Sequence, residues 1–329
     1  MREIVRTNDT VLVSAIQALL NAAEIPHLVL DQNMSVLEGS LGILPRRILV
    51  GDEHQESARR LLEDAGLAHE LRPGSEMDGR TDDAVLGGRL RLTQKRTGHR
   101  FGHDTILLAA ATGARRGDRV VDLGAGVGAA GLALAIRVSE ATVTLVEVDP
   151  ELAGIGAENI LRNGLEGRAR AVVLDVTGPS DAFAAAGLGP GSADHVMMNP
   201  PFNDPARQNV SPDRDRRLAH AVATGALAEW VAAAAWLLHS TGMLTMIWRA
   251  DGLVQVLATL DRHFGGIALL PVHGRAGEPA IRILVRAIKG SGAPLVLLPG
   301  LDLSDRGGRP TAQAEAVLRA GAALPMAEL

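Results

Sequence analysis

Short apolar runs alternate with helical repeats along the first seventy residues, and turn chemistry closes each run. Glu3–Arg6 reads as a strand, and Asn8 or Asp9 then caps a helix through about Ala23, with Val13, Ile16, Ala18, Leu19 and Leu20 spaced to form an inner face. Pro26–Leu30 predicts a second strand, Arg47–Val50 a third, and His54–Asp64 a second helix that Gly66 ends. The order βαββα predicts a small α+β, ferredoxin-like domain over residues 1–71. From 72 to 88 the apolar period lapses into glycine and acidic groups, which predicts a linker. Beyond it strands and helices alternate, the pattern of a mostly parallel sheet covered on both faces, so residues 89–329 are expected to form an α/β domain. Pro310 to Ala323 reads as one closing amphipathic helix.

Composition narrows the function classes. Apolar residues make up 47% of the chain and charged ones 22%, which supplies material for cores and argues against wholesale disorder. The most apolar stretch, Ala221 to Trp248, is interrupted by Glu229, His239 and Gly242; a buried helix followed by a strand is expected, and no membrane segment. The first residues carry both charge signs and no apolar core of secretory length, so a cytoplasmic location is expected. With no cysteine, the sequence excludes disulfides, thiolate-bound zinc, iron–sulfur clusters and a cysteine nucleophile, and no metal centre is expected. A formal net charge of -5 leaves any nucleic-acid contact to a local basic surface. Arginine outnumbers lysine by 31 to 2, which is ascribed to base composition rather than to phosphate recognition.

Two strand ends carry the candidate chemistry. Arg119–Leu123 runs into Gly124-Ala125-Gly126-Val127-Gly128 and then a helix through Arg137. Glycines let the backbone approach a ligand closely, and the helix terminus behind them offers unpaired amides. The next strand, Thr142–Val146, ends on Glu147, where a doubly wound fold sets a carboxylate against the ribose hydroxyls of a nucleoside. The third, Ala171–Leu174, ends on Asp175, suited to accept from an adenine amine. Asp122 precedes the glycines and either orients the loop or contacts the ligand. This spelling resembles the first motif of class I S-adenosylmethionine-dependent methyltransferases. The resemblance implies that cofactor, bound at Asp122, Gly124, Ala125, Gly126, Gly128, Glu147 and Asp175, and a Rossmann-like fold with a seven-stranded sheet.

The fourth strand, Ala193–Met198, terminates in Asn199-Pro200-Pro201-Phe202. An amine or carboxamide nitrogen attached to a π system is a poor nucleophile because its lone pair is delocalised. The Asn199 side-chain oxygen and the Pro200 carbonyl can accept both of its hydrogens and favour a pyramidal nitrogen. Pro200 and Pro201 hold the chain extended, and Phe202 offers a face for a flipped base, worth roughly 1–3 kcal/mol. These four residues are the candidate catalytic group.

Two basic stretches flank this machinery. Arg89 to Asp104 carries Arg96 and Arg100 as candidate phosphate contacts, with Phe101 and Asp104 placed to touch the cofactor; Asn203 to Arg217 adds Arg207, Arg214 and Arg217. Gln94 through Leu108, the glycine elbow, Glu147 and the Asn199 tetrapeptide together resemble the bacterial adenine methyltransferases that modify the anticodon loop of valine tRNA. That resemblance implies transfer of a methyl group to an adenine amine, with tRNA as partner. Gly102-His103-Asp104 replaces the family's Gly-Thr-Asp, and Phe202 stands where tyrosine is common. Protein-glutamine and ribosomal guanine-amine methyltransferases face the same nitrogen problem and are the alternatives, with a non-catalytic binding module as a third reading. The first seventy residues, down to the run Asp31 to Gly39, resemble a short signal-transducing domain of unknown function found in many bacteria; a structural or dimerising appendage is expected, with a ligand or partner site on the long loop as the alternative.

Overall fold

The structure is a computed structural model that describes residues 2–7, 9–30, 46–71, 80–96, 100–201 and 215–329. Two compact units divide the chain, one built on residues 1–77 with 274–278 and 302–311, the other on 78–273, 279–301 and 312–329.

In the first unit, β1 (Arg2–Thr7), β2 (His27–Leu30) and β3 (Arg46–Val50) form a sheet in the order β1-β3-β2, with β3 antiparallel to both neighbours. This split βαβ arrangement is the expected ferredoxin-like one. The Asp9 carboxylate accepts from the amides of Val11 and Leu12 at 2.8 and 3.1 Å and so starts the helix Thr10–Ala22. Ile4, Ile16, Leu20, Ile48 and Leu62 are its fully buried centre. Ala18, expected on the inner face, is exposed, because the contact stripe runs through Val13, Ile16 and Leu20. The loop 31–45 lies outside the described residues.

The second unit begins inside the segment read as a linker. Arg80–Val85 is β4, paired antiparallel with β5 (Leu90–Lys95) across a Leu86–Gly88 turn in which residues 86, 87 and 88 all have positive φ. The expectation fails because the buried face of β4 is polar. Thr81 and Asp83 fill it, and the Asp83 carboxylate accepts from the Thr81 hydroxyl at 2.8 Å, the Gln94 amide at 2.6 Å and the Arg100 guanidinium at 2.9 Å. An apolar period therefore has nothing to report there.

Strands β6 (Arg119–Leu123), β7 (Thr142–Glu147), β8 (Ala169–Val173), β9 (Ala193–Met198), β10 (Leu238–Arg249), β11 (Phe264–Arg275), β12 (Ala280–Lys289) and β13 (Val296–Leu297) belong to one nine-stranded sheet. Its path runs β13-β11-β12-β10-β9-β6-β7-β8, and the ninth strand, β14 (Leu301–Ser304), pairs with β11 off this path. From β8 to β10 all pairings are parallel, and β12 enters antiparallel between β10 and β11. The seven strands from β8 to β11 match the number that the resemblance implies, and short strands extend the sheet beyond them. Val121, Leu123, Val196, Met198, Leu244 and Met246 bury one face beneath the helices Asp215–Leu237 and Leu253–Leu260. Leu123, Met198 and Met246 stand level with one another across three strands, so Gly124 and Asn199 leave the sheet side by side. The closing helix is shorter than expected, Ala312–Leu318, because Gly321 at φ 65° turns the chain and returns its amide to the Val317 carbonyl. No described helix is long and apolar enough to cross a membrane.

Candidate active site

The glycine elbow is held from three sides. Gly124, Gly126 and Gly128 all have positive φ, at 69°, 56° and 88°, a region that a β-carbon disfavours. The Ala125 amide donates to the Val146 carbonyl at 2.9 Å, which ties the turn to β7. Asn159, fully buried on the helix Pro150–Arg162, accepts from the Thr93 amide at 2.7 Å and donates to the Val127 carbonyl at 3.0 Å, fixing the elbow to β5. A β-carbon on Gly126 would meet no described atom within 4 Å, so the second glycine faces open space, as a cradle for a ligand requires.

Glu147 ends β7 and is only 8% exposed. Its Oε2 accepts from the Gly126 amide at 2.8 Å and its Oε1 from the Asp149 amide at 3.0 Å, while each oxygen keeps a second lone pair. The carboxylate thus sits directly beside the elbow, as the strand-end spacing predicts. Asp122 is buried beneath it, with Oδ2 accepting from the Gly131 amide at 2.9 Å. Burial pushes its carboxyl up to about 7, against the pull of that hydrogen bond and with a further push from Glu147. Of its two expected roles, the hydrogen bond to the Gly131 amide matches the orienting one. Asp175 lies two residues past the end of β8, exposed, with one oxygen taken by the amide and hydroxyl of Thr177.

Asn199 follows β9. Its Oδ1 is buried and has no hydrogen-bond partner among the described residues, and Pro200 behind it is buried while Pro201 is exposed. A buried acceptor left unpaired costs about 1–3 kcal/mol, and native proteins retain such groups where a ligand completes them. Phe202, Arg207 and Arg214 lie outside the described residues, as does the side chain of Arg217.

The lead-in segment is secured from the β4–β5 hairpin. Gln94 accepts from the Phe101 amide at 3.3 Å. Arg100 is spent on Asp83 and Thr81, and Asp104 is paired with Arg282 at 2.7 Å, so both hold the segment in place. Arg96 is exposed and donates to the Arg80 carbonyl. His103 has a buried Nε2 with no described partner, and desolvation lowers its pKa against the influence of Asp104, which keeps the ring neutral at pH 7. The sequence reading missed Asp83 and Asn159, whose polarity is concealed inside a hairpin and on a helix. It also missed Trp230, whose ring abuts Gly124.

A cavity of about 360 Å³ opens at the opposite end of the sheet, among Arg119, Thr142, Arg168 and Arg170. Those arginines are engaged by Asp194, by the carbonyls of Ala135, Val138 and Ala141, and by the Ala186 carbonyl. None of the motif residues lines it.

The chain is similar to known proteins. The family described as "Methyltransferase small domain" matches residues 99–274, and that described as "Putative prokaryotic signal transducing protein" matches residues 1–66. No curated protein matches in sequence. The crystal structure of a predicted O-methyltransferase from Agrobacterium tumefaciens is 32% identical over 67% of this chain and 98% of its own, with a TM-score of 0.57. TrmN from Thermus thermophilus is 18% identical over 56% of this chain and 48% of its own, with a TM-score of 0.41. TYW2 from Pyrococcus horikoshii, solved in complex with MeSAdo, is 16% identical over 84% of this chain and 99% of its own, with a TM-score of 0.47.

Proposed function

Because the chain belongs to the methyltransferase small domain family and is an S-adenosylmethionine-dependent methyltransferase, we propose that it methylates the exocyclic amine of an adenine in RNA, tRNA foremost. The observation that carries this reading is the buried Oδ1 of Asn199, without a partner among the described residues and following the strand beside the one that leads into the glycine elbow.

The site fits the cofactor: Gly124 and Gly126 would approach it by their backbone, and Glu147 would accept from its ribose hydroxyls. When bound, its sulfonium supplies an electrophilic methyl group. Asn199 and the Pro200 carbonyl each accept one hydrogen of the target amine, which turns its lone pair away from the ring and toward that methyl. The nitrogen gains the carbon and releases one proton to solvent, so no strong base is required. Preorganisation by two prolines means the acceptors need not be reoriented in the transition state. Phe202, next in sequence, would supply a stacking face for the flipped base. The lead-in and post-motif arginines, Arg96, Arg207, Arg214 and Arg217, would meet the RNA backbone. In this reading the enzyme works in the cytoplasm, and the amino-terminal domain joins copies of the chain.

The test offers undermodified tRNA, ribosomal RNA and release factors side by side with a labelled methyl donor, followed by nucleoside and peptide mass analysis. N6-methyladenine in tRNA is expected. Label confined to protein would replace this reading with the glutamine one. Asn199→Ala should abolish transfer with S-adenosylhomocysteine binding retained; a variant that still turns over removes Asn199 from catalysis.

A further inference from the structure

Trp230 lies on the helix Asp215–Leu237, thirty-one residues after Asn199. A β-carbon added to Gly124 would stand 2.5 Å from its Cη2, 3.0 Å from Cζ3 and 3.7 Å from Cζ2. The six-membered edge of the indole therefore fills the space over the first glycine. Leu123 pairs with Met198 in register, so Gly124 and Asn199 each follow the last paired residue of adjacent strands. Trp230 thus stands where the elbow meets the catalytic asparagine.

Trp230 and Trp236 are both partly buried against the core. Leu227, Val231 and Ala234 on the same helix are at most 1% exposed, and Trp248 is 5% exposed. Trp236 packs edge-on against Phe183 with centroids 5.8 Å apart. Trp230 remains partly exposed at the carboxyl end of the strands. A partly exposed aromatic ring near a buried acceptor that has no partner among the described residues offers what a flat ligand needs: one group to hold its amine and one surface to hold its ring.

We infer that Trp230 is a specificity-determining residue whose indole carries the heteroaromatic ring of the target while its amine reaches Asn199. The inference rests on the reading above and deepens it, because a glutamine side chain has no ring to lay on the indole. Stacking tolerates any base, so Trp230 selects for an aromatic acceptor, and Asn199 selects for its amine.

The experiment compares wild type, Trp230→Phe and Trp230→Leu on the RNA that wild type methylates, with S-adenosylhomocysteine affinity measured in parallel. Phenylalanine should hold kcat/KM within about threefold, and leucine should lower it about 10-fold to 100-fold with S-adenosylhomocysteine affinity unchanged. Equal turnover by the leucine variant overturns the assignment. So does cofactor affinity falling in step with turnover, which would make the indole a prop for Gly124. A second readout uses the intact enzyme labelled with 5-fluorotryptophan, its Trp230 fluorine signal assigned from the phenylalanine variant. That signal should move on adding an RNA hairpin in the presence of S-adenosylhomocysteine, and a fixed signal counts against stacking even if the leucine variant does not fold. A wild-type enzyme that labels only protein overturns both this inference and its parent reading, whereas an active leucine variant overturns this one alone.

Discussion

Replacing Asp122 with asparagine should remove a specific part of the pH dependence of folding. In the folded protein this carboxyl is 2% exposed and burial pushes it from 3.8 up to about 7. Between those values the unfolded chain is ionised at this position while the folded chain keeps its proton. The folded state therefore binds the extra proton, and its stability falls as pH rises through the window and levels off above 7. At ~1.4 kcal/mol per pH unit the gap amounts to roughly 4 kcal/mol. Asparagine keeps an oxygen to accept from the Gly131 amide but cannot ionise; its buried amine, if unpaired, costs about 1–3 kcal/mol at every pH. Urea unfolding of both proteins from pH 4 to pH 8.5 isolates the carboxyl, because titrating groups that do not interact with it cancel in the difference. The variant should be the less stable protein in acid and the more stable one above neutrality. A difference that does not change with pH would refute the reasoning.

Two further outcomes follow from the site. Glu147→Ala removes the carboxylate beside Gly126; calorimetry should show S-adenosylhomocysteine affinity reduced about 10-fold to 100-fold, the worth of hydrogen bonds to a charged group, and an unchanged affinity would displace Glu147 from the cofactor site. Arg100→Ala should leave the slope of RNA affinity against salt concentration unaltered, since its guanidinium is committed to Asp83; a slope shallower by about 1 would show that it neutralises a phosphate.

Where apolar periodicity or glycine placement controls local structure, the sequence is readable. Arg119–Leu123, Thr142–Glu147 and Ala193–Met198 are buried strands, and a candidate residue stands at or next to the end of each. The ferredoxin-like order of the first unit follows likewise from short runs punctuated by Asp9 and Gly66. Polar burial is what escapes. Asp83, Thr81 and Gln94 look like surface residues until the hairpin folds them inward, so β4 reads as linker. Asn159 is one polar residue on an otherwise ordinary helix, and only tertiary structure brings it to Val127 and Thr93. Arg100 shows the reverse error: a cation in a basic run reads as a phosphate contact, although a carboxylate seventeen residues upstream already holds it. The contact of Trp230 with Gly124 joins positions more than a hundred residues apart, and no local pattern encodes it.

Pro200 and Pro201 carry one further consequence. A parallel ladder is zipped by amide protons, and two successive residues without them cannot extend it past the level of Leu123, Met198 and Met246. The chain at this point is unable to seal itself to its neighbours. The end of the pairing at this level is therefore written into the covalent sequence, whether or not anything is bound there.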